Sequence, residues 1–220
     1  MIYNLRMPGN KFWTPERKHS LYMGLLLLIL AFIVQISAGR YSARSAASAP
    51  FVGDLFLDNL PVISLDILIV EASLAFWAII LSLLVMRPRY LLFGLKVIAL
   101  FIIFRAFFIS LTHIGIYPER AVIGDGWGPA EGLYGLFTFQ GNFFFSGHTG
   151  LPVLMFLIFT KDVFWRKFFF AAAFVFGASV LLAHVHYSID VFAAPFITYG
   201  IFRIAARLFP RDYELLTSSA

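Results

Sequence analysis

The chain is predicted to be an all-α integral membrane protein with six transmembrane helices. Hydrophobic residues make up 60% of the sequence and charged residues only 13%, whereas a soluble domain carries about 25% charged residues. The apolar residues also fall into six runs, and a run of about 20 residues can cross a ~30 Å hydrocarbon core as a helix. Finally, most Lys and Arg residues lie in alternate connections between the runs, as in multi-pass membrane proteins.

The six predicted helices follow one another along most of the chain. They are approximately residues 21–38, 62–86, 90–112, 143–160, 168–186 and 189–207. The first run follows a basic lead, and its length favours a retained helix over a cleaved signal peptide. Residues 39–61 and 113–141 are predicted to be the two longer loops.

The distribution of basic residues predicts that both termini are cytoplasmic. With a cytoplasmic N-terminus, the inner segments hold 12 of the 17 Lys and Arg residues, and such an excess marks the cytoplasmic side. We therefore divide the chain into a basic cytoplasmic lead (residues 1–20), a six-helix domain (residues 21–210) and a cytoplasmic tail (residues 211–220). Residues 113–141 are then external, and their glycines and aromatics suit an interfacial lid better than a linker.

Two polar motifs interrupt the apolar runs at the same predicted depth. "FSGHTG", residues 145–150, lies at the outer end of the fourth helix, and "AHVHYSID", residues 183–190, lies at the outer end of the fifth. The chain direction therefore places His148 at the level of His186 and Asp190. We expect these residues to share one site.

The residue types in this expected site suit phosphoryl transfer. His186 and Asp190 are spaced i, i+4, so on a helix the carboxylate can accept the imidazole N–H. The other ring nitrogen of His186 is then free to attack phosphorus or to take a proton. His148, brought in by another helix, can protonate a departing alkoxide.

Ser146, Gly147 and Thr149 surround His148 at a predicted helix start. A helix N-terminus offers free N–H groups and a positive dipole end, and glycine lets a phosphate approach the backbone. Either motif alone is more typical of an interfacial or pore-lining histidine. The two motifs at one depth favour an enzyme.

Two charged residues lie inside the second and third predicted helices. An unpaired ionised group in lipid costs at least ~2.5–3.5 kcal/mol, so Glu71 and Arg105 should be paired or functional. They can form an ion pair, or Arg105 can hold the substrate phosphate, which we favour slightly. Lys96, near the cytoplasmic end of its helix, is expected to snorkel towards water.

The motifs resemble those of a known family. "FSGHTG" together with "AHVHYSIDV" is similar to the sphingomyelin synthase branch of the type 2 phosphatidic acid phosphatase superfamily, whose motifs read FSGHT and AHxHYTxDV. "DLFLD", residues 54–58, resembles the first motif of that branch. Glu71 falls where the family has a glutamate in the second helix, and Arg105 looks like the arginine of its second motif. The resemblance covers about residues 50–210 and implies the corresponding helical bundle.

Several positions depart from the pattern of the family. Gln140 and Asn142 stand where the third motif has Cys and Asp, and Pro195–Phe196 replaces a tyrosine pair. These departures leave the head-group preference open. Phe145 precedes the serine where the phosphatase branch has proline, and Ser179–Val180 occupies the Ser-Arg position of that branch, so hydrolysis of a phosphate monoester is less favoured.

The resemblance implies a lipid phosphotransferase. Such an enzyme moves a phospho-alcohol head group, phosphocholine or phosphoethanolamine, from a glycerophospholipid to ceramide or a related lipid alcohol and releases diacylglycerol. His186 would be the nucleophile that becomes phosphohistidine, Asp190 would orient it, and His148 would protonate the diacylglycerol oxygen. The candidate supporting residues are Arg105, Ser146, Gly147, Thr149, His184, Tyr187 and Glu71. The sequence is equally compatible with a supporting role for His184 and with a position that faces the membrane–water interface.

No cofactor is expected. The chain has no cysteine, which excludes a thiolate zinc site, a disulfide framework and a cysteine nucleophile. Nor does a carboxylate cluster or a histidine pair with divalent-metal spacing stand beside the motifs. The net charge of +5 lies largely in segments that flank the membrane, so we expect lipid rather than nucleic-acid partners.

Two alternatives remain open. A lipid phosphate phosphatase of the same superfamily is the enzymatic one. A transporter or channel, with the intramembrane charges along a polar route and the histidines as a gate, belongs to a different class and lacks a detectable inverted repeat. We expect a multi-pass protein of the bacterial inner membrane with its site on the non-cytoplasmic face; a Golgi or plasma membrane, and the oligomeric state, stay open.

Overall fold

The computed structural model describes residues 12–123, 129–135, 138–139 and 141–218, and this part of the chain is helical or irregular, with no β-strand. The helices are α1 (Pro15–Ser48), α2 (Asp66–Ile69), α3 (Glu71–Met86), α4 (Pro88–Leu111), α5 (Pro129–Gly135), α6 (Gly147–Ile158), α7 (Val163–Leu182), α8 (Ser188–Leu208) and α9 (Pro210–Thr217). Most of the basic lead, parts of the expected lid and the motif position Gln140 lie outside the described residues.

Within the described residues, five segments are long and apolar enough to cross a membrane. They are α1, the continuous stretch Asp66–Met86 that contains α2 and α3, and then α4, α7 and α8. The prediction of an all-α membrane protein is thus confirmed. The fourth predicted run forms α6, which has only 12 residues and a length of about 18 Å, compared with a ~30 Å hydrocarbon core. A sixth full span therefore remains a prediction.

Helix α1 is longer than the sequence predicts. It continues to Ser48, so the expectation of a loop from residue 39 is wrong for residues 39–48. The alanines of this stretch favour helix, and its small residues allow close packing. Ser42 donates a hydrogen bond to the carbonyl of Gly141 at 2.8 Å, where a φ of +78° and the nearby methyl group of Ala46 require glycine.

Helices α1 and α4 run side by side in the same direction. Gly24 packs against Leu95 in the third turn of each helix, where an added Cβ would lie 3.1 Å from the Cβ of Leu95. Ala38 forms a buried cluster with Ala106 and Ile109 further along. Because both helices run from one end of the bundle to the other, residues after α1 and after α4 meet at the same end.

A buried ion pair closes the end of the bundle at which α1 and α4 begin. Lys96 of α4 is only 3% exposed and binds Asp212 of α9, while the Ser20 hydroxyl lies 2.9 Å from both carboxylate oxygens. The expectation that Lys96 snorkels is therefore wrong. Its side chain stays inside because α9, part of the predicted tail, folds back and supplies the carboxylate.

Aromatic pairs fix both ends of the short helix α6 against α4. Phe145, fully buried just before α6, packs edge-on against Phe101 with ring centroids 5.2 Å apart. Phe159, just after α6, stacks on Tyr90 at 4.6 Å. Such pairs contribute about 0.5–1.5 kcal/mol beyond the area they bury. The start of α6 is thereby held at the end of the bundle opposite the Lys96–Asp212 pair.

Candidate active site

The starts of α6 and α8 meet at the end of the bundle opposite the Lys96–Asp212 pair. Ser146 precedes α6 and Tyr187 precedes α8, and the Ser146 N–H donates to the carbonyl of Asp190 at 2.9 Å. His148 is the second residue of α6. Its ring centroid lies 6.3 Å from that of His186, so one small group can contact both imidazoles.

The His186 imidazole is oriented by a buried carboxylate. Its Nδ1 lies 2.9 Å from Oδ2 of Asp190, and Asp190 is fully buried. Because an ionised carboxylate only accepts hydrogen bonds, the proton is assigned to Nδ1. The unprotonated Nε2 then carries the lone pair that a nucleophile needs.

The contact between His186 and Asp190 does not come from one continuous helix. Helix α7 ends at Leu182 and α8 begins at Ser188, so the helical premise for the i, i+4 pair is wrong. Asp190 is the third residue of α8, and its Oδ2 also accepts the N–H of Tyr187 at 3.2 Å. The carboxylate thus caps the helix start, and His186 lies on the turn that leads into it.

A strained residue supplies a third hydrogen bond to Asp190. Phe144 has a φ of 117°, which is rare for a bulky side chain, and its N–H donates to Oδ1 of Asp190 at 2.9 Å. Backbone strain of this kind costs about 1–3 kcal/mol and persists only where the surroundings enforce it. Here it directs an N–H towards a buried charge.

Arg105 lies against the start of α6. A Cβ added at Gly147 would lie 3.3 Å from its Nε, and this Nε is buried without a hydrogen-bond partner in the described part of the chain. Arg105 also interacts electrostatically with Asp190 and His148. Glu71 is exposed and forms no ion pair with Arg105 in the described structure. Two roles were predicted for Arg105, an ion pair with Glu71 and binding of the substrate phosphate. The ion pair is absent from the described structure.

Ser146 and Thr149 build the start of α6. The Ser146 hydroxyl accepts the N–H of Thr149 at 3.4 Å, as an N-cap residue does. This leaves the N–H groups of Gly147 and His148 without an intrahelical acceptor. The Thr149 side chain packs near Gly177 of α7, where an added Cβ would lie 3.3 Å from its hydroxyl oxygen.

Tyr134 was missed by the sequence analysis. Its hydroxyl lies 2.9 Å from Nε2 of His148, and its ring stacks on Trp77 with centroids 6.2 Å apart. Burial raises the pKa of the Tyr134 phenol, so the hydroxyl keeps its proton. The expected lid, residues 113–141, suggested an aromatic cover, but nothing in the sequence distinguishes Tyr134 from the other aromatics there.

His184 and Tyr187 hold the segment that follows α4. Nδ1 of His184 lies 2.8 Å from the carbonyl oxygen of Glu119, and the Tyr187 hydroxyl donates to the carbonyl of Gly115 at 2.8 Å. His184 is 2% exposed, so it does not face the interface. Both side chains thus bind the backbone of the segment after α4.

Asp54 belongs to the motif DLFLD, residues 54–58, but the sequence did not predict it as a residue of the active site. Its carboxylate accepts the N–H of Ser188, the first residue of α8, at 2.7 Å, and also those of Phe56 and Leu57. Burial acts to raise the pKa of the Asp54 carboxyl, but these hydrogen bonds outweigh it and lower the pKa below its usual value. Asp54 therefore anchors the helix that carries Asp190.

Comparison with known proteins gives one match. Residues 141–207, which include α6, α7 and α8, match the family model described as PAP2 superfamily C-terminal. The match supports membership of the PAP2 superfamily, whose members are typically lipid phosphatases or phosphotransferases. The matched segment contains His148, His186 and Asp190. No curated protein and no solved structure matches the chain.

Proposed function

We propose that this protein is a lipid phosphotransferase. It moves a phosphocholine or phosphoethanolamine group from a glycerophospholipid to ceramide or a related lipid alcohol, and it releases diacylglycerol. The observation that carries the proposal is the pairing of His186 with the buried Asp190 beside the His148 ring, 6.3 Å away between centroids. One imidazole is set to attack phosphorus and the other to exchange a proton.

In the first half-reaction, Nε2 of His186 attacks the phosphorus of the phospholipid. The bond between phosphorus and the diacylglycerol oxygen breaks, and protonated His148 gives its proton to that oxygen. Diacylglycerol leaves with this proton. The head-group phosphate stays on His186, while Asp190 compensates the positive charge that develops on the ring.

In the second half-reaction, the hydroxyl of the acceptor lipid attacks the phosphohistidine. Neutral His148 takes the hydroxyl proton, the bond between phosphorus and Nε2 breaks, and both histidines return to their starting states. With water as the acceptor, the same intermediate gives phospholipase C-like hydrolysis. Exclusion of water therefore decides between transfer and hydrolysis.

Arg105 and the start of α6 are the groups that stabilise the phosphate in this proposal. The guanidinium is a fixed cation beside Gly147, and the helix start adds free N–H groups and a positive dipole end. Both favour the charge that builds on the phosphate oxygens in the transition state. Arginine suits this role because its planar donors match two phosphate oxygens.

We also propose that the site lies on the non-cytoplasmic face of a bacterial inner membrane. The opposite end of the bundle carries Arg87, paired with Asp162 at 2.6 Å, and most of the other Lys and Arg residues flank that end. An excess of basic residues is typical of the cytoplasmic side. Lipids of the outer leaflet would then supply the substrates.

A lipid assay tests the proposal. Purified protein in liposomes is incubated with head-group-labelled phosphatidylcholine or phosphatidylethanolamine and with ceramide, diacylglycerol or no acceptor, and the products are separated by thin-layer chromatography. We expect label on the acceptor lipid and release of diacylglycerol. Label on His186 that is stable to base and lost in acid would identify the intermediate.

Matched variants make the test specific. His186→Ala should abolish transfer and covalent labelling, whereas His113→Ala, an exposed histidine on the segment after α4, should leave both unchanged. Transfer that survives His186→Ala contradicts the mechanism. Cleavage of phosphatidic acid alone selects a lipid phosphate phosphatase, and unchanged lipids with solute flux select a transporter.

A further inference from the structure

We infer that a groove between α3 and α7 holds one acyl chain of the lipid substrate while its phosphate lies at the histidines. This inference rests on the proposed lipid reaction. The groove has a volume of about 320 Å³. Its walls are apolar and come from both helices, with Ala72, Ala75 and Phe76 of α3 opposite Ala171, Ala172 and Phe176 of α7.

Small residues keep the groove open. Two alanines of α3 and two of α7 face it, and the space between the helices is closed from behind by phenylalanine rings. Phe76 packs against Phe176 and Phe168, with ring centroids 5.3 and 6.2 Å apart. Larger side chains at these alanines would fill the groove. The groove therefore exists because these residues are small, and no helix has to be displaced to open it.

The groove leads to the candidate active site. Phe176, at its outer end, has its ring centroid 6.4 Å from that of His148. Across the groove, Trp77 of α3 stacks on Tyr134, whose hydroxyl bonds to His148. A chain that lies along the groove would therefore end beside the imidazole assigned to the leaving diacylglycerol oxygen, as the chemistry requires.

The dimensions of the groove select an acyl chain over a protein helix. Ala72 and Ile79 are seven residues apart on α3, which corresponds to about 10 Å of groove. A helix is about 10 Å in diameter, and the phenylalanine rings that pack between α3 and α7 behind the groove leave no room for one between these helices. A single hydrocarbon chain is thin enough to enter.

The function of such a groove is orientation rather than affinity. An acyl chain gains little by moving from lipid into an apolar groove, because both surroundings exclude water. A chain held along α3 and α7 nevertheless restricts where the phosphate can lie. Such positioning affects the rate strongly, since a misplacement of about 1 Å can cost about 100-fold.

Groove-filling variants test the inference. Ala75→Phe and Ala171→Phe fill the groove from exposed positions, so they should not disturb folding; their controls, Ala78→Phe and Ala178→Phe, are exposed on the same two helices outside the groove. We expect the filled variants to lose at least about tenfold in kcat/KM on long-chain phospholipid. On dibutyryl phosphatidylcholine, whose chains are too short to use the groove, all four variants should match the wild type.

Photolabelling gives a readout that does not need turnover. Phosphatidylcholine with a diazirine on its acyl chain should label residues 72–79 and 168–176 of the His186→Ala protein, and Ala75→Phe should lower this labelling while Ala78→Phe should not. Equal labelling of all lipid-facing helices, or equal activity losses in groove and control variants, would overturn the inference. If the wild type transfers no head group at all, the proposed function fails, while the labelling pattern still decides whether the groove holds a chain.

Discussion

The substitution Asp190→Asn tests the arrangement around His186 most directly. The carboxylate accepts three N–H groups: Nδ1 of His186 and the backbone N–H of Tyr187 at Oδ2, and the backbone N–H of Phe144 at Oδ1. An amide has one accepting oxygen and one donating nitrogen. In either orientation, at least one buried N–H therefore faces another donor.

The two orientations of the amide have different costs. With its oxygen towards His186, the Phe144 N–H loses its acceptor, and the charge-assisted bond to His186, worth about 1.5–3 kcal/mol, becomes a neutral one. With its nitrogen towards His186, Nδ1 must accept, so the ring proton moves to Nε2 and blocks the nucleophile. A wrong tautomer of this kind costs about 10⁴-fold. We expect kcat to fall by about 10² to 10⁴ and stability to fall by about 1–3 kcal/mol.

The assay is head-group transfer to ceramide under single-turnover conditions, with thermal unfolding measured on the same samples. Asp54→Asn is the matched control, because this carboxylate also accepts three N–H groups, but all three come from the backbone and none from an imidazole in the described structure. It should lose stability without the large loss of kcat. If Asp190→Asn keeps its rate within about tenfold, the tautomer argument is wrong.

Three other expectations follow from the described contacts. The leaving oxygen must displace the Tyr134 hydroxyl from Nε2 of His148, and a hydrogen bond is worth about 0.5–1.5 kcal/mol, so Tyr134→Phe should raise kcat/KM about two- to twelvefold; a loss above about tenfold would instead show that the phenol takes part in proton transfer. Lys96→Met leaves Asp212 charged and buried and should cost about 3–5 kcal/mol in thermal unfolding, with most of this regained by Lys96→Met/Asp212→Leu; an unaffected single variant would mean that the pair does not form. The pKa of Asp54 is lowered on folding, so its stabilisation is present above the unfolded value of about 3.9 and is lost as the pH falls through the folded value. Acid titration of stability should therefore be steeper in the wild type than in Asp54→Asn, and identical curves would contradict the assignment.

The membrane class and the two motifs of the candidate site can be predicted from the amino-acid sequence. Both depend on local properties: the length and hydropathy of each run, the position of Lys and Arg between runs, and the polar residues that interrupt them. The direction of each run was enough to predict that His148 and His186 lie at one depth. Arg105 could be identified as functional or paired because a charge in an apolar run needs a compensating contact.

Which side chains come into contact is seen only in the folded protein. Asp190 reaches His186 across a helix start rather than along a helix, and Phe144, far away in sequence, donates to the same carboxylate. Tyr134 reaches His148, and Lys96 is buried against Asp212, through contacts between separate segments. Hydropathy and spacing report the environment of each segment, but a partner from another segment is fixed only by how side chains of definite shape pack together, and that packing has no signature in any one stretch of residues.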